Sequence, residues 1–248
     1  MPWDFVLIFF VLGVVVPWRG AVRVRELLGQ PALSTADRIA VYASTIAFQW
    51  FAVAVVLWRC AAHGLGVAQL GVVLPHPARA ALATVALLVP LLANQFYGLR
   101  RLAHMPPEQQ GFLGALARKL MPQNSVEILA FTALCCTVAV CEEILYRGFV
   151  FAALEAALEG SLAVAVLGSS LMFSLAHLYQ GRRGLLATFI VGLLLAAART
   201  WTGSLAACVV VHLVVDLAAG LAAPRVLRVS AALATAASTP DNGPGATA

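Results

Sequence analysis

The sequence predicts an all-α fold, a multi-pass transmembrane helical bundle of about seven spans, with six to eight compatible with the pattern. Three observations carry this. Hydrophobic residues fill 62% of the chain and charged residues 11%, and the mean hydropathy is +0.91, far from the composition of a water-soluble domain. The apolar residues gather into runs of about the length that crosses ~30 Å of hydrocarbon. The basic residues fall mostly in alternate connections between those runs.

Trp3 to Trp18 is the first run. Asp4 lies near its start, no basic stretch precedes it and no small-residue cleavage site follows, so it reads as a retained anchor rather than a cleaved leader. After the polar stretch Arg19 to Arg38, spans are expected at about Ile39 to Ala62 and Arg79 to Tyr97. The longest polar connection runs from Gly98 to Glu127. Within it Gly111 to Leu120 alternates apolar and basic faces at helical spacing, as a surface-lying or connecting amphipathic helix does. From Glu127 to Leu158 the chain would make about 48 Å of helix, too long for one perpendicular crossing and too short for two. One long, tilted span is expected there. Further spans follow at about Ser161 to Tyr179, Leu185 to Ala198 and Ser204 to Leu221, and the tail after Pro224, rich in Ala, Thr, Pro, Gly and Asn, is expected to be disordered. The chain thus divides into N-terminal spans and loops over 1–126, a helical core over 127–222 and a tail over 223–248.

Charge sets the orientation. The connections after spans one, three, five and seven hold Arg19, Arg23, Arg25 and Arg38; Arg100, Arg101, Arg118 and Lys119; Arg182 and Arg183; and Arg225 and Arg228. These twelve of the sixteen basic residues place those connections and the C-terminus in the cytoplasm, with the N-terminus outside the cell membrane. The net charge of +5 is scattered one or two residues at a time and forms no stripe, which excludes nucleic acid as a partner and leaves the lipid bilayer. Cys60, Cys135, Cys136, Cys141 and Cys208 lie in or beside apolar runs without CxxC spacing, and read as small buried hydrophobes.

Against this background the stretch CEEILYRGFV, Cys141 to Val150, stands out. On a helix Glu143 and Arg147 are i and i+4 neighbours and can pair, while Glu142 points about one side-chain direction away and is left free. Two later spans carry FSLAH, with Phe173 and His177 on one face, and HLVVD, with His212 and Asp216 on one face. Ionisable groups inside a bilayer cost several kcal/mol each unless they face a protein interior or a wet cavity, so Glu142, His177, His212 and Asp216 together point to one shared site. Glu143 with Arg147 reads as a helix staple, and Phe173 by itself as core packing.

The chemistry of such a set has two forms. A carboxylate taken out of water holds a proton more tightly and can act as a base toward a water molecule, while imidazoles position that water and donate to the oxyanion formed when it attacks an amide. Alternatively Glu142, His177 and His212 could hold a divalent metal such as zinc, with an open position for water. The sequence does not separate these. Ser169, Ser170 and Ser174 have no nucleophile setting around them, and HExxH and the Walker and Rossmann glycine patterns are absent.

The series EEILYRG, FSLAH and HLVVD, with ARTWTGSL between the last two, resembles the EExxxR, FxxxH and HxxxN/D motifs of the CPBP family of intramembrane proteases, which includes CAAX prenyl endopeptidases and bacteriocin-processing or immunity proteins. The resemblance covers about Glu127 to Leu221. It implies an intramembrane endopeptidase that hydrolyses a peptide bond in a membrane-proximal, hydrophobic or lipidated (CAAX-like) peptide. Glu142 would be the water-activating base, His177 its partner, and His212 with Asp216 the oxyanion-stabilising pair, with Glu143, Arg147 and Phe173 in support. Asp216 stands where the family more commonly has Asn; an ionised Asp cannot donate a hydrogen bond, so it must be protonated, orient His212 or bind metal. A non-catalytic membrane binding or immunity protein on the same scaffold is the alternative, and a proton-coupled transporter a third reading, for which no half-helix pair or inverted repeat is found.

Overall fold

The computed structural model describes residues 1–106 and 109–238, and among these there is no strand. The helices in chain order are α1 (Trp3–Gly29), α2 (Thr35–Ala62), α3 (Pro77–Ala103), the short α4 (Gly111–Lys119), α5 (Ser125–Ala157), α6 (Leu162–Ala176), α7 (Gly181–Thr202, preceded by the 3-10 turn Leu178–Gln180) and α8 (Ala206–Ser238). Six helices are long and apolar enough to cross a membrane: α1, α2, α3, α5, α7 with its 3-10 turn, and α8 as far as Val226. The chain is a multi-pass helical bundle. The expected fifth span is α6, whose 15 residues make only ~22 Å of helix. It stops at Ala176, so His177 lies at a helix end rather than within a span.

Packing follows from which faces are apolar and small. α5 lies at the centre against α2 and α8, α3 packs on α8, and α6 on α7. Cys141, Leu145, Tyr146, Phe149 and Val150 of α5 form the main core with Phe5 and Leu12 of α1, Val53 and Val56 of α2, and Phe173 of α6. The large apolar residues facing outward, among them Phe51, Trp58, Val89, Leu129 and Leu186, would be a liability in water and suit a lipid-facing surface.

The ends of the spans are tied by polar groups. Ser34 and Asp37 form a capping box at the start of α2, and Asn124 caps α5 by accepting from the backbone N–H of Glu127 at 3.0 Å. Fully buried Glu127 then takes Arg38 in a two-pronged pair, at 2.9 and 3.0 Å, and accepts from Thr35 at 2.6 Å. Arg38, read from the sequence as an orientation signal, therefore also joins the first turns of α2 and α5. Toward the other end Asp4 of α1 accepts from Arg59 of α2 at 2.5 Å and lies 2.9 Å from His63.

Three expectations are corrected. α1 does not end at Trp18 but runs to Gly29, carrying Arg19, Arg23 and Arg25 on the helix itself; Pro17 sits in the first turn of its final α segment, where a missing N–H costs little. α8 passes Pro224 and continues to Ser238, so the described part of the tail is helical where disorder was expected. Proline removes one hydrogen bond, and the Ala-rich stretch after it favours helix. Residues 239–248 of that tail lie outside the described residues. Finally, Glu143–Val150 winds as a π-helix rather than an α-helix. π segments are rare and concentrate at functional sites.

Candidate active site

The site is assembled from α5, α6 and α8, with one contribution from α2. Glu143 and Arg147, both fully buried, pair along α5 despite the π winding, with Arg147 Nη1 donating to Glu143 Oε1 at 2.9 Å. The same carboxylate oxygen also meets His212 Nδ1 of α8 at 2.9 Å. Glu143 thus does more than staple one helix: it links Arg147 to an imidazole 69 residues away. A carboxylate shared with a guanidinium acts as acceptor, so Nδ1 of His212 is the donor and Nε2 is turned outward. Nε2 lies 3.5 Å from Asp216 Oδ2, at the limit of hydrogen-bond length, and the Asp216 side chain is 36% exposed.

Phe173 of α6 occupies the middle of this arrangement. Arg147 Cζ stands 3.9 Å over its ring, His212 meets it edge-on at 5.8 Å, Tyr146 edge-on at 5.6 Å, and His177 lies 4.7 Å away. A cation over an aromatic face is attracted by the ring quadrupole, more strongly when both are desolvated, and here both are buried. Phe173 is core packing and also the wall against which Arg147 and the two imidazoles are set.

His177 owes its setting to the end of α6. Its backbone N–H turns back to the Ser174 carbonyl at 2.9 Å, and its own ring Nδ1 donates to the Phe173 carbonyl at 2.9 Å. A carbonyl only accepts, so Nδ1 carries the proton and Nε2 is left as the bare nitrogen or second donor of a half-buried ring. Tyr179, 5.9 Å from His177, and Phe112 of α4, 6.1 Å from Tyr179, continue the aromatic wall toward the Arg182 and Arg183 side.

Glu142 is placed differently from the other six. Its Oε1 accepts from Gln49 Nε2 of α2 at 3.0 Å, and its Oε2 is buried without a partner among the described residues. Its hydrogen bond is therefore to a glutamine and not to an imidazole. Gln49 was missed in the sequence; the signal available was a carboxamide in the middle of an apolar span.

The donor set does not suit a metal. Among the described residues no three His, Cys, Asp or Glu side chains are grouped so as to hold an ion. The Nδ1 bonds of His177 and His212 leave both Nε2 atoms open, but Glu142, His177 and His212 are not gathered into such a group.

The ARTWTGSL segment supports the site from behind. Arg199 of α7 donates to the Gln69 carbonyl at 2.8 Å, Leu205 N–H to the Gly71 carbonyl at 2.9 Å, and Gly203 closes α7 in the left-handed conformation. Gly71, at φ +72, has no room for a Cβ, which would fall 2.3 Å from Arg199 Nε. The 64–75 loop is thereby pressed onto α5, with the Leu70 carbonyl 3.2 Å from where a Cβ on Gly148 would be.

Residues 124–218, which hold every one of these groups except Gln49 and the α4 and loop contacts, match the family model described as Type II CAAX prenyl endopeptidase Rce1-like. No curated protein and no solved structure matches the chain significantly.

Proposed function

We propose, from the match over residues 124–218, that the chain is a member of the CPBP family of intramembrane proteases and an endopeptidase that hydrolyses an amide bond by carboxylate-activated water. Its substrate is a membrane-proximal peptide with a hydrophobic or lipidated, CAAX-like end. The observation that carries the reading is the buried Arg147, Glu143 and His212 chain beside a second carboxylate whose Oε2 has no partner among the described residues. A membrane span keeps such groups only where they are used or tightly paired, and among the described residues Glu142 bonds a neutral amide rather than a cation.

In this mechanism Glu142 removes one proton from a water as its oxygen adds to the scissile carbonyl carbon. The negative charge moves to the carbonyl oxygen. His212, protonated on both ring nitrogens and held by Glu143 through Nδ1–H, turns Nε2–H to that oxygen; its 3.5 Å separation from Asp216 leaves the donor free to do so, and Asp216 adjusts its direction. When the intermediate collapses the C–N bond breaks, and the proton on Glu142 passes to the departing amine, restoring the carboxylate. His177 Nε2, the ring nitrogen not used by the helix cap, positions the water. Arg147, bonded to the same Glu143 oxygen, holds that carboxylate in place and so keeps His212 in one orientation. No step runs through a metal, in keeping with the donor set.

The test is cleavage of farnesylated and unmodified CAAX-ended peptides by the purified protein in liposomes. Glu142→Gln is expected to lower kcat by about a hundredfold or more with folded yield unchanged, the scale of losing a general base. His177→Ala should lose cleavage too, and a chelator should leave wild-type activity as it was. Wild-type rates in Glu142→Gln would instead return the protein to the binding or immunity reading.

A further inference from the structure

Gln49 lies in the N-terminal half of the chain, outside the segment that matches the family model, yet its side chain reaches the centre of the site. The helix that carries it is fixed there by its neighbour, since Trp50 Nε1 donates to Thr137 Oγ1 of α5 at 3.3 Å. Its carboxamide is used on one side only. Nε2 donates to Glu142 Oε1 at 3.0 Å, whereas Gln49 Oε1 is buried with no partner among the described residues. Glu142 Oε2 is in the same condition. Two unpaired acceptors therefore flank a single hydrogen bond, in a span where each unpaired polar atom is costly.

Those atoms match the needs of one small molecule. Water has two hydrogens to donate, and a base that takes one of them leaves the other needing an acceptor. From this we infer that Gln49 is a positioning residue of the hydrolytic centre: Nε2 holds Glu142 by one oxygen so that Oε2 faces the attacking water, and Gln49 Oε1 receives the second hydrogen of that water. The inference rests on the water-activating role of Glu142. It adds a residue of α2 to a site otherwise drawn from α5, α6 and α8, and gives the N-terminal spans a part in the chemistry. Such a residue acts on the orientation of the base and not on peptide binding. Its loss therefore falls on kcat.

The experiment compares wild type, Gln49→Leu, Gln49→Glu, Glu142→Gln and Gln49→Leu/Glu142→Gln in liposomes, by cleavage kinetics and by infrared difference spectroscopy of the carboxylate region. The Glu142 band is identified by its loss in Glu142→Gln, so this readout does not require activity. In Gln49→Leu the Glu142 band should shift, kcat should fall about tenfold to a hundredfold, on the scale of losing a supporting hydrogen bond, and KM should stay within about twofold. Gln49→Glu, which loses the amide donor and sets a second carboxyl against Glu142, should fall at least as far. The double variant should be no slower than Glu142→Gln alone. An unshifted Glu142 band overturns the inference whether or not any peptide is cleaved. So does a kcat within about twofold of wild type in Gln49→Leu while Glu142→Gln is inactive, and so does a loss confined to KM or to folded yield. A shifted band together with full activity in Glu142→Gln overturns instead the hydrolytic reading on which the inference rests.

Discussion

Glu143 and Glu142 are adjacent, identical in chemistry and separated in role by what surrounds them. Glu143 is fully buried and accepts from a guanidinium and an imidazole on one oxygen, while Glu142 accepts from a neutral amide. Removing the charge of Glu143 leaves Arg147 buried and without its counter-ion, the situation in which a broken buried pair costs about 3–5 kcal/mol. Glu143→Gln is therefore expected to lower the thermal midpoint and the folded yield as well as activity, and Glu143→Gln/Arg147→Met should recover part of the stability but not the activity. Thermal unfolding in detergent alongside the cleavage assay checks this. Equal stability of the Glu142→Gln and Glu143→Gln variants would contradict the separation. The pairing of Glu143 with Arg147 is legible from i,i+4 spacing alone; the contact with His212 is not, because it depends on how α8 is rotated against α5.

At the scale of elements, the first turns of α2 and α5 are joined through Glu127, which takes Arg38 with both oxygens and is itself fully buried. Gln49 lies further along α2 and Glu142 further along α5, so this tie also sets the register in which those two meet. Glu127→Gln keeps the shape and removes the charge, and should destabilise the protein by roughly 1.5–3 kcal/mol, the range for a hydrogen bond to a charged group. It should also weaken activity out of proportion to the folded fraction, because α2 is then free to shift. Activity per folded molecule, with folding followed by thermal unfolding, is the measurement. The π winding of Glu143–Val150 belongs to the same scale: it falls where Leu145 to Val150 are all buried and the helix is surrounded by its neighbours on every side. Sequence periodicity predicts a helix there and cannot predict an inserted residue, since the close neighbours around it, such as the Leu70 carbonyl at Gly148, come from distant parts of the chain.

For the whole molecule, the site lies within the bundle and its aromatic wall runs by way of His177, Tyr179 and Phe112 toward the end that carries Arg182 and Arg183. The distribution of basic residues argues that this end is cytoplasmic, so a peptide substrate would approach from the cytoplasm. A protease-cleavable tag at the C-terminus should then be protected in sealed right-side-out vesicles and cut in inverted ones, with a tag before residue 1 behaving in the opposite way. Cleavage of both tags from the same side would overturn the odd number of crossings, the short α6 counted with the six longer helices, on which the orientation depends.

Taken by itself, the sequence determines that the chain is a membrane helical bundle, because apolar runs of that length and charge-poor composition have no other stable solution in lipid. It also determines which residues are worth attention, since Glu142, Glu143, Arg147, His177, His212 and Asp216 are conspicuous only against so apolar a chain. What it could not determine is which of these groups touch. The bond between Gln49 and Glu142 joins residues 93 apart, and that between Glu143 and His212 joins residues 69 apart. Local spacing fixes the direction of a side chain relative to its own helix, whereas the rotation and depth of one helix against another are decided by tertiary packing. That is why the His177 helix cap, the unpaired oxygens of Gln49 and Glu142, and the sharing of Glu143 between Arg147 and His212 become visible only in the folded molecule.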